Sequence, residues 1–149
     1  MISEVDHISY SVRDLDRSVA FYSQMFGFKV RRGFDSNAPL FGALTGRPDA
    51  HLRMVIMYLG NTELGLFEQI KPRSKRQQAE EAIEVGAASL ILQSDNVRAD
   101  YERLKSLGVF FRSGPTGGPD AGFLACQGVD PDGIIFELVE RVPPVKPKA

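Results

Sequence analysis

Hydrophobic and polar residues alternate from Val5 to Val12, which predicts a strand with one apolar and one polar face. Asp14 then suits a helix N-cap, and apolar residues recur at helical spacing until Gly27 supplies a stop. Further strands are predicted over residues 28–32, 52–59 and 63–67. The glycine- and proline-rich segment 33–50 is predicted to be a long loop of the kind that often lines a site. The first half is therefore predicted to fold as β-α-β-β-β.

The same order of elements recurs in the second half of the chain. With one gap, residues 5–28 and 87–109 overlay at an offset of 82, so that His7 falls on Ser89 and Asp14 on Asn96. The predicted elements here are strands at 89–93, 109–112, 123–127 and 134–139, a helix from 97 ending at Gly108, a loop at 113–122 and a turn at 130–133. A repeated unit of this kind indicates a pseudo-symmetric fold with functional groups at equivalent places in both halves.

Two tandem βαβββ modules of α+β class are thus expected within a single domain that spans residues 1–149. The first module covers residues 4–70 and the second 86–141, with a linker containing a short helix at 71–85 and a frayed tail at 142–149. A helix can cover only one face of so small a sheet. We therefore expect a cupped mixed β-sheet with the helices on its outer face and a concave cavity inside.

Alternation along each strand assigns side chains to one face or the other. The polar residues expected to point into the cup are His7, Ser9, Ser11, Ser89 and Gln93. Alignment of GIIFELVE (133–140) with NTELGLFE (61–68) places Glu137 at the position equivalent to Gly65, and Glu137 is also expected to point inward. The candidate chemistry therefore gathers on the concave face.

Composition excludes several classes of function. A net charge of −1, with 43% hydrophobic and 25% charged residues, is typical of a soluble globular protein and argues against a nucleic-acid partner. No apolar run approaches the ~20 residues of a membrane span, and no glycine-rich phosphate loop indicates a nucleotide cofactor. The single cysteine, Cys126, cannot form an internal disulfide and is expected to be a buried small hydrophobe. Together these features favour the reducing cytoplasm.

Three motifs carry a resemblance to a known family. The opening D-H-I-x-x-x-V-x-D-L-D-R-S-V-A-F-Y at 6–22, the turn L-G-N-T-E-L at 59–64 and the ending D-P-D-G-I-I-F-E-L-V-E at 130–140 resemble the vicinal oxygen chelate superfamily. That superfamily includes glyoxalase I, extradiol dioxygenases, methylmalonyl-CoA epimerase and the fosfomycin and bleomycin resistance proteins. The resemblance covers residues 4–141. It implies a divalent metal bound at the start of the first strand and near the end of the fourth strand of each module.

Only two of the four ligand positions carry the residue that the resemblance implies. His7 and Glu137 match the family pattern, whereas Gly65 stands where Glu or Gln is usual and Ser89 where His is usual. Imidazole and carboxylate suit Zn, Fe, Mn, Co or Ni, but protein sites use three or four ligands. A divalent metal is therefore expected to be weakly held or absent, unless substrate oxygens complete its shell.

Further residues are candidates for contact with a substrate. Phe41, on the predicted loop, could close over an organic ligand, and His51 beside the loop could act as a general base. Glu63 and Glu68 are alternative carboxylates near the metal position, although Glu68 would need a bulge to turn inward. The full set of candidate substrate-binding positions is Ser9, Gly65, Ser89, Gln93, Phe41 and His51, with His7 and Glu137 as catalytic or metal-binding residues.

Three functions follow from this set. The first is a metal-assisted lyase, isomerase or dioxygenase acting on a small organic substrate with a carbonyl or hydroxyl group. The second is a metal-free binding protein that sequesters a metabolite or antibiotic, as bleomycin resistance proteins do. The third is metal-free acid–base catalysis by His7 and Glu137. A homodimer is expected in each case from exposed sheet edges and the habits of the family.

Overall fold

The computed structural model describes residues 3–36, 39–73 and 86–143, except for the side chains of residue 36 and residues 39–41. The chain divides into two compact units, unit 1 (Met1–Gln77) and unit 2 (Gln78–Ala149). The short helix predicted in the linker and most of the predicted tail lie outside the described residues.

Unit 1 contains a four-stranded mixed sheet. Its elements in chain order are β1 (Ile8–Val12), α1 (Leu15–Phe26), β2 (Lys29–Ser36), α2 (Pro39–Thr45), β3 (His51–Leu59) and β4 (Thr62–Lys71). The strand order is β1-β4-β3-β2, with β1 parallel to β4 and the other pairs antiparallel.

Unit 2 repeats that topology. Its elements are β5 (Ser89–Gln93), α3 (Val97–Ser106), β6 (Thr116–Gly118), β7 (Phe123–Val129) and β8 (Ile135–Arg141). The strand order is β5-β8-β7-β6, with β5 parallel to β8. The predicted α+β class and the two tandem modules are confirmed.

The main helix of each unit begins at the predicted cap. The Asp14 side chain accepts a hydrogen bond from Arg17 N, and the Asn96 side chain accepts one from Ala99 N, each at 2.9 Å. Gly27 ends α1 with φ of 79°, a conformation that glycine adopts without strain. The repeat seen in the sequence therefore corresponds to repeated helix-terminal chemistry.

A carboxylate from the last strand of each unit also binds the helix N-terminus. Leu15 N donates to Glu68 Oε2 at 3.1 Å, and Val97 N donates to Glu140 Oε2 at 2.9 Å. These bonds satisfy backbone N–H groups that have no partner within the helix. Glu68 therefore lies on the helix side of its sheet, and the bulge that would turn it away does not occur.

Apolar side chains fill the space between each sheet and its helix. In unit 1 the fully buried residues include Tyr22, Leu64 and Leu66; in unit 2 they include Leu104 and Phe136. Each such side chain contributes about 1.5–3 kcal/mol to stability when buried. Because side chains alternate along a strand, residue 65 of β4 and residue 137 of β8 face away from the helices.

The prediction of a loop over 33–50 was wrong in part. β2 continues to Ser36, because β3 is long enough to extend the pairing as far as Ser36 opposite Leu52. Pro39 begins α2, at a position where its missing N–H is no loss. Gly42 is buried, and a Cβ there would lie 2.8 Å from Arg47 O. Glycine and proline here serve close packing and helix initiation.

The predicted strand at 109–112 was also wrong. Phe111 forms only one isolated bridge, with Gly128, and its ring packs 4.7 Å from that of Tyr101 and 5.6 Å from that of Phe136. Aromatic packing and irregular backbone hydrogen bonds to β7, from Arg112 N to Gln127 O and from Val129 N to Phe110 O, together hold this segment. The edge strand of the unit 2 sheet is instead β6, within the predicted loop 113–122.

None of the helices in the described ranges is long and apolar enough to cross a bilayer.

Candidate functional site

The pairing registers of the two units are equivalent. In unit 1 Ser9 of β1 lies opposite Gly65 of β4, and in unit 2 Ile91 of β5 lies opposite Glu137 of β8. Gly65 and Glu137 therefore occupy corresponding places in their own units, as the overlay of the two sequence segments indicates.

In unit 1, position 65 is surrounded by the side chains of its neighbours. A Cβ at Gly65 would overlap Ser9 Oγ and would lie 3.0 Å from His7 Cδ2 and 3.1 Å from Met54 Cε. His7, Ser9 and Met54 thus share the face onto which a residue at 65 would project. The missing side chain leaves no vacancy, because the Ser9 hydroxyl fills the nearest space.

His7 is held by its neighbour in sequence. Its Nδ1 atom lies 2.5 Å from Asp6 Oδ2, and 25% of the His7 side chain is exposed. The hydrogen bond from His7, aided by its charge when protonated, lowers the pKa of Asp6 below the ordinary value. Asp6 therefore stays ionised, and the imidazole has a fixed partner on one of its two nitrogens.

In unit 2, Glu137 lies at a cavity of about 400 Å³. The cavity is lined by polar residues on one side and by apolar residues on the other, among them Ser113, Thr116, Gln127, Phe123 and Ala125. Gln127 Nε2 donates to Glu137 Oε2 at 3.0 Å, and no other described residue hydrogen-bonds the Glu137 carboxylate. One carboxylate oxygen is therefore oriented by an amide, and the other is available to a ligand.

The remaining candidates differ in their surroundings. Ser89 and Gln93 are exposed at the two ends of β5. His51 Nε2 lies 2.6 Å from Asp35 Oδ1 across the β2–β3 pair. Phe41 lies in α2, not in a loop, and its side chain is outside the described part of the chain.

The other two carboxylates of unit 1 that the sequence offered are bound elsewhere. Glu63 Oε1 forms an ion pair at 2.5 Å with Arg31 Nε. Glu68, only 8% exposed, accepts from Leu15 N and lies 3.5 Å from Arg53 Nη1. Both are therefore engaged by basic or backbone donors of unit 1.

Cys126 lies beside the cavity and is 1% exposed. Burial, followed by the negative charge of Glu137, raises the pKa of the thiol from 9.0 to about 11. A protonated thiol is a poor nucleophile, so Cys126 takes no part in covalent chemistry near neutral pH.

Sequence reasoning missed Gln127 and Asp6. The signal for Gln127 was incomplete, because counting outward from the predicted turn at 130–133 pairs it with Phe136. In the structure Asp132 N and Ile134 N both donate to Asp130 Oδ1 at 2.8 Å and Asp130 N donates to Ile134 O, so the turn takes in one more residue and pairs Gln127 with Glu137. Asp6 gave no such signal, since alternation along the predicted strand from Val5 puts it on the face opposite His7, whereas in the structure β1 begins only at Ile8.

The donors do not fit a resident divalent metal. In unit 1 the imidazole of His7 is paired through Nδ1 with the Asp6 carboxylate, and in unit 2 the carboxylate of Glu137 is paired with an amide. Within residues 3–36, 39–73 and 86–143, no group of three or more His, Cys, Asp or Glu side chains is placed to hold a metal ion. Tightly bound metals in proteins need three or four such ligands.

The chain combines two α+β units with matching registers, one of which carries a carboxylate at a cavity. The family model for the Glyoxalase/Bleomycin resistance protein/Dioxygenase superfamily matches residues 4–138, and the chain belongs to that superfamily. This is the vicinal oxygen chelate superfamily that its motifs indicate.

A plant lactoylglutathione lyase is among the proteins that this chain is similar to. The chain is 33% identical over 150 residues to a lactoylglutathione lyase of Arabidopsis thaliana, in a match that covers 95% of this chain and 45% of the relative. The chain thus spans about half the length of the curated relatives it matches.

Solved structures show the same fold. A glyoxalase family protein from Bacillus cereus superposes with a TM-score of 0.85 at 16% identity, over 95% of this chain and 96% of that one. The fosfomycin resistance protein FosX of Listeria monocytogenes, solved with Mn(II) and sulfate, gives a TM-score of 0.61 at 21% identity, over 94% and 93% of the two chains.

Proposed function

We propose that this chain is an enzyme of the lyase or isomerase type that moves a proton on a small organic substrate with a carbonyl or hydroxyl group. The observation that carries the proposal is the Glu137 carboxylate at the unit 2 cavity, with one oxygen oriented by Gln127. The relationship to a lactoylglutathione lyase supports the reaction class.

Glu137 is proposed to be the general base. A proton on the carbon next to a substrate carbonyl passes to the free carboxylate oxygen, and the electron pair left behind moves onto the carbonyl oxygen as an enolate. The amide of Gln127 keeps the carboxylate in one orientation, which favours proton transfer. Phe123 and Ala125 give the cavity an apolar lining against which the carbon skeleton of a substrate can pack.

His7 is proposed to exchange a proton with a substrate oxygen. It is one of two histidines in the chain, and an imidazole changes protonation near neutral pH more readily than any other side chain. The residues proposed to contact substrate remain Ser9, Gly65, Ser89, Gln93, Phe41 and His51.

The experiment is hydrogen–deuterium exchange in D₂O, at the carbon next to the carbonyl, in a panel of hemithioacetals and α-hydroxy ketones followed by NMR. We expect Glu137→Gln to lower the exchange rate about 10²–10⁴-fold, the usual contribution of a general base. Glu140→Gln, on the same strand but bonded to a helix N-terminus, is the matched control and should retain the rate.

His7→Ala has its own matched control in His51→Ala, the other histidine. The His7 variant should lose kcat, whereas the His51 variant, changed at a proposed substrate contact, should raise KM and keep most of its kcat.

The deuterium-exchange assay also tests whether the reaction needs a metal ion. We expect the rate to survive excess chelator. Loss of exchange in chelator, restored by Mn(II) or Zn(II), would show that substrate oxygens complete a metal shell and that metal-free proton transfer is wrong.

A binding protein is the second candidate function. It is favoured by the Ser9 hydroxyl at position 65, where the family's metal ligand would project. Bleomycin and fosfomycin are the probes. A rise in melting temperature that survives chelator, in a protein that exchanges no deuterium into any panel compound, would establish this function instead.

Assembly as a homodimer and residence in the cytoplasm complete the proposal. The dimer is supported by the outer strand β2, on which Val30 and Phe34 are exposed.

A further inference from the structure

We infer that Asp6 is a positioning residue, which holds the proton of His7 on Nδ1 and so makes Nε2 the nitrogen that exchanges protons with the substrate. The inference deepens the proposed function and rests on the role of His7 given there. It concerns which atom of the imidazole reacts.

The geometry fixes the imidazole from two sides. On one side, Nδ1 lies 2.5 Å from Asp6 Oδ2. On the other, Cδ2 lies 3.0 Å from the point where a Cβ of residue 65 would stand. Cδ2 is bonded to Nε2 in the ring, so the Cδ2–Nε2 edge belongs to the face of the sheet that carries Gly65.

An ionised carboxylate can only accept a hydrogen bond. The exposed Asp6 carboxylate is ionised at neutral pH, as aspartate side chains ordinarily are, so Nδ1, 2.5 Å away, must be the donor in this pair. In the neutral imidazole Nε2 then carries the lone pair, and in the imidazolium Nε2 carries the proton that can leave. In both states Asp6 directs the exchange to Nε2, as carboxylates paired with catalytic histidines do.

Gly65 makes this orientation accessible. A Cβ at position 65 would stand 3.0 Å from Cδ2, a tight contact that would require the ring to shift by a few tenths of an ångström. Glycine at position 65 and the hydrogen bond to Asp6 thus both favour the observed orientation of the His7 ring.

The second histidine provides an internal contrast. His51 bonds Asp35 through Nε2, at 2.6 Å, and not through Nδ1. By the same reasoning His51 carries its proton on Nε2 when neutral. The two histidines of this chain are therefore predicted to be opposite tautomers.

The experiment is long-range ¹H–¹⁵N NMR on the intact protein labelled at histidine nitrogens, at a pH at which both imidazoles are neutral, with His51→Ala to assign the signals. We expect an Nδ1–H tautomer for His7 and an Nε2–H tautomer for His51. Asp6→Asn should shift His7 toward the Nε2–H form, because the amide can donate to Nδ1. Asp6→Glu should largely restore the Nδ1–H form.

Asp35→Asn is the matched control, and it should change the tautomer of His51 alone. In the deuterium-exchange assay, Asp6→Asn should lower kcat about tenfold with KM nearly unchanged, as is common when the partner of a functional histidine is lost. Asp6→Glu should recover most of that loss, which a merely structural defect would not allow.

An Nε2–H tautomer of His7 in the unaltered protein, or one that is indifferent to Asp6→Asn, would overturn the inference. So would normal turnover in Asp6→Asn where His7→Ala is impaired. If the tautomers are as expected but His7→Ala retains full turnover, the proposed role of His7 fails while the orienting effect of Asp6 on the ring stands.

Discussion

At position 65, neighbouring side chains occupy the space that a longer residue than glycine would take. The sequence shows that residue 65 has no side chain to bind a metal, which predicts an empty space at that position. In the structure Ser9 Oγ and the Met54 methyl group fill that space. Restoring a carboxylate at 65 would therefore require Ser9 to move, so the departure from the metal-binding pattern involves more than one residue.

The thiol of Cys126 gives a prediction for the dependence of stability on pH. Its pKa is 9.0 in the unfolded chain and about 11 in the folded one, chiefly because burial disfavours the thiolate. The folded state holds this proton more tightly, so its contribution to the free energy of unfolding is complete below pH 9 and declines as the pH rises toward about 11.

Urea unfolding between pH 8 and 11 measures this contribution. Cys126→Ala is the control, because it lacks the titrating group, and its unfolding free energy should fall less steeply over that range. Equal slopes for the two proteins would contradict the prediction. The comparison uses the slopes with pH and not the absolute free energies of unfolding, since removing the sulfur also leaves a small cavity.

The carboxylates bound at the helix N-termini allow a comparison between equivalent elements. Glu68→Ala would leave Leu15 N without its partner at a buried position, and we expect a loss of about 1–3 kcal/mol in the free energy of unfolding. Glu140→Ala removes the corresponding bond to Val97 N at a partly exposed position, so that water can replace it. The loss there should be about 1 kcal/mol or less.

Chemical denaturation of the two alanine variants beside Glu68→Gln and Glu140→Gln tests this expectation. Glutamine retains an acceptor oxygen, so each glutamine variant should keep most of the stability that its alanine counterpart loses. A larger loss in Glu140→Ala than in Glu68→Ala would show that burial does not determine the energy of these bonds.

A helix or strand was predicted well where the residues that cause it lie close together in the sequence, and poorly where its cause is a contact that the sequence does not show. β5 was predicted with its observed bounds, Ser89–Gln93, because alternation and the following cap both lie in the sequence. α2 was missed since Gly42 is required by close contact with Arg47 and Pro48, which the sequence does not show. Phe111 was assigned to a strand because its packing partners, Tyr101 and Phe136, are distant in sequence.

Residues of the candidate site were likewise predicted only where the sequence shows them directly. His7 and Glu137 stand in motifs that the sequence displays directly. Gln127 and Asp6 act through hydrogen bonds to those two residues, and such bonds depend on strand register and ring orientation. Partners of this kind become visible only when side chains have coordinates.

At the scale of the whole molecule, the sheets leave strands without a neighbour on one side, and β2 is the outer strand of the unit 1 sheet. Val30 and Phe34 on β2 are 52% and 48% exposed, an arrangement that favours association with another chain.

We therefore expect light scattering after gel filtration to give a mass near twice 16.5 kDa. Val30→Lys should lower that mass on dilution, whereas Leu44→Lys on α2, at a residue 77% exposed, should not. A monomer at micromolar concentration would contradict the dimer, and a dimer indifferent to Val30→Lys would move the interface away from β2.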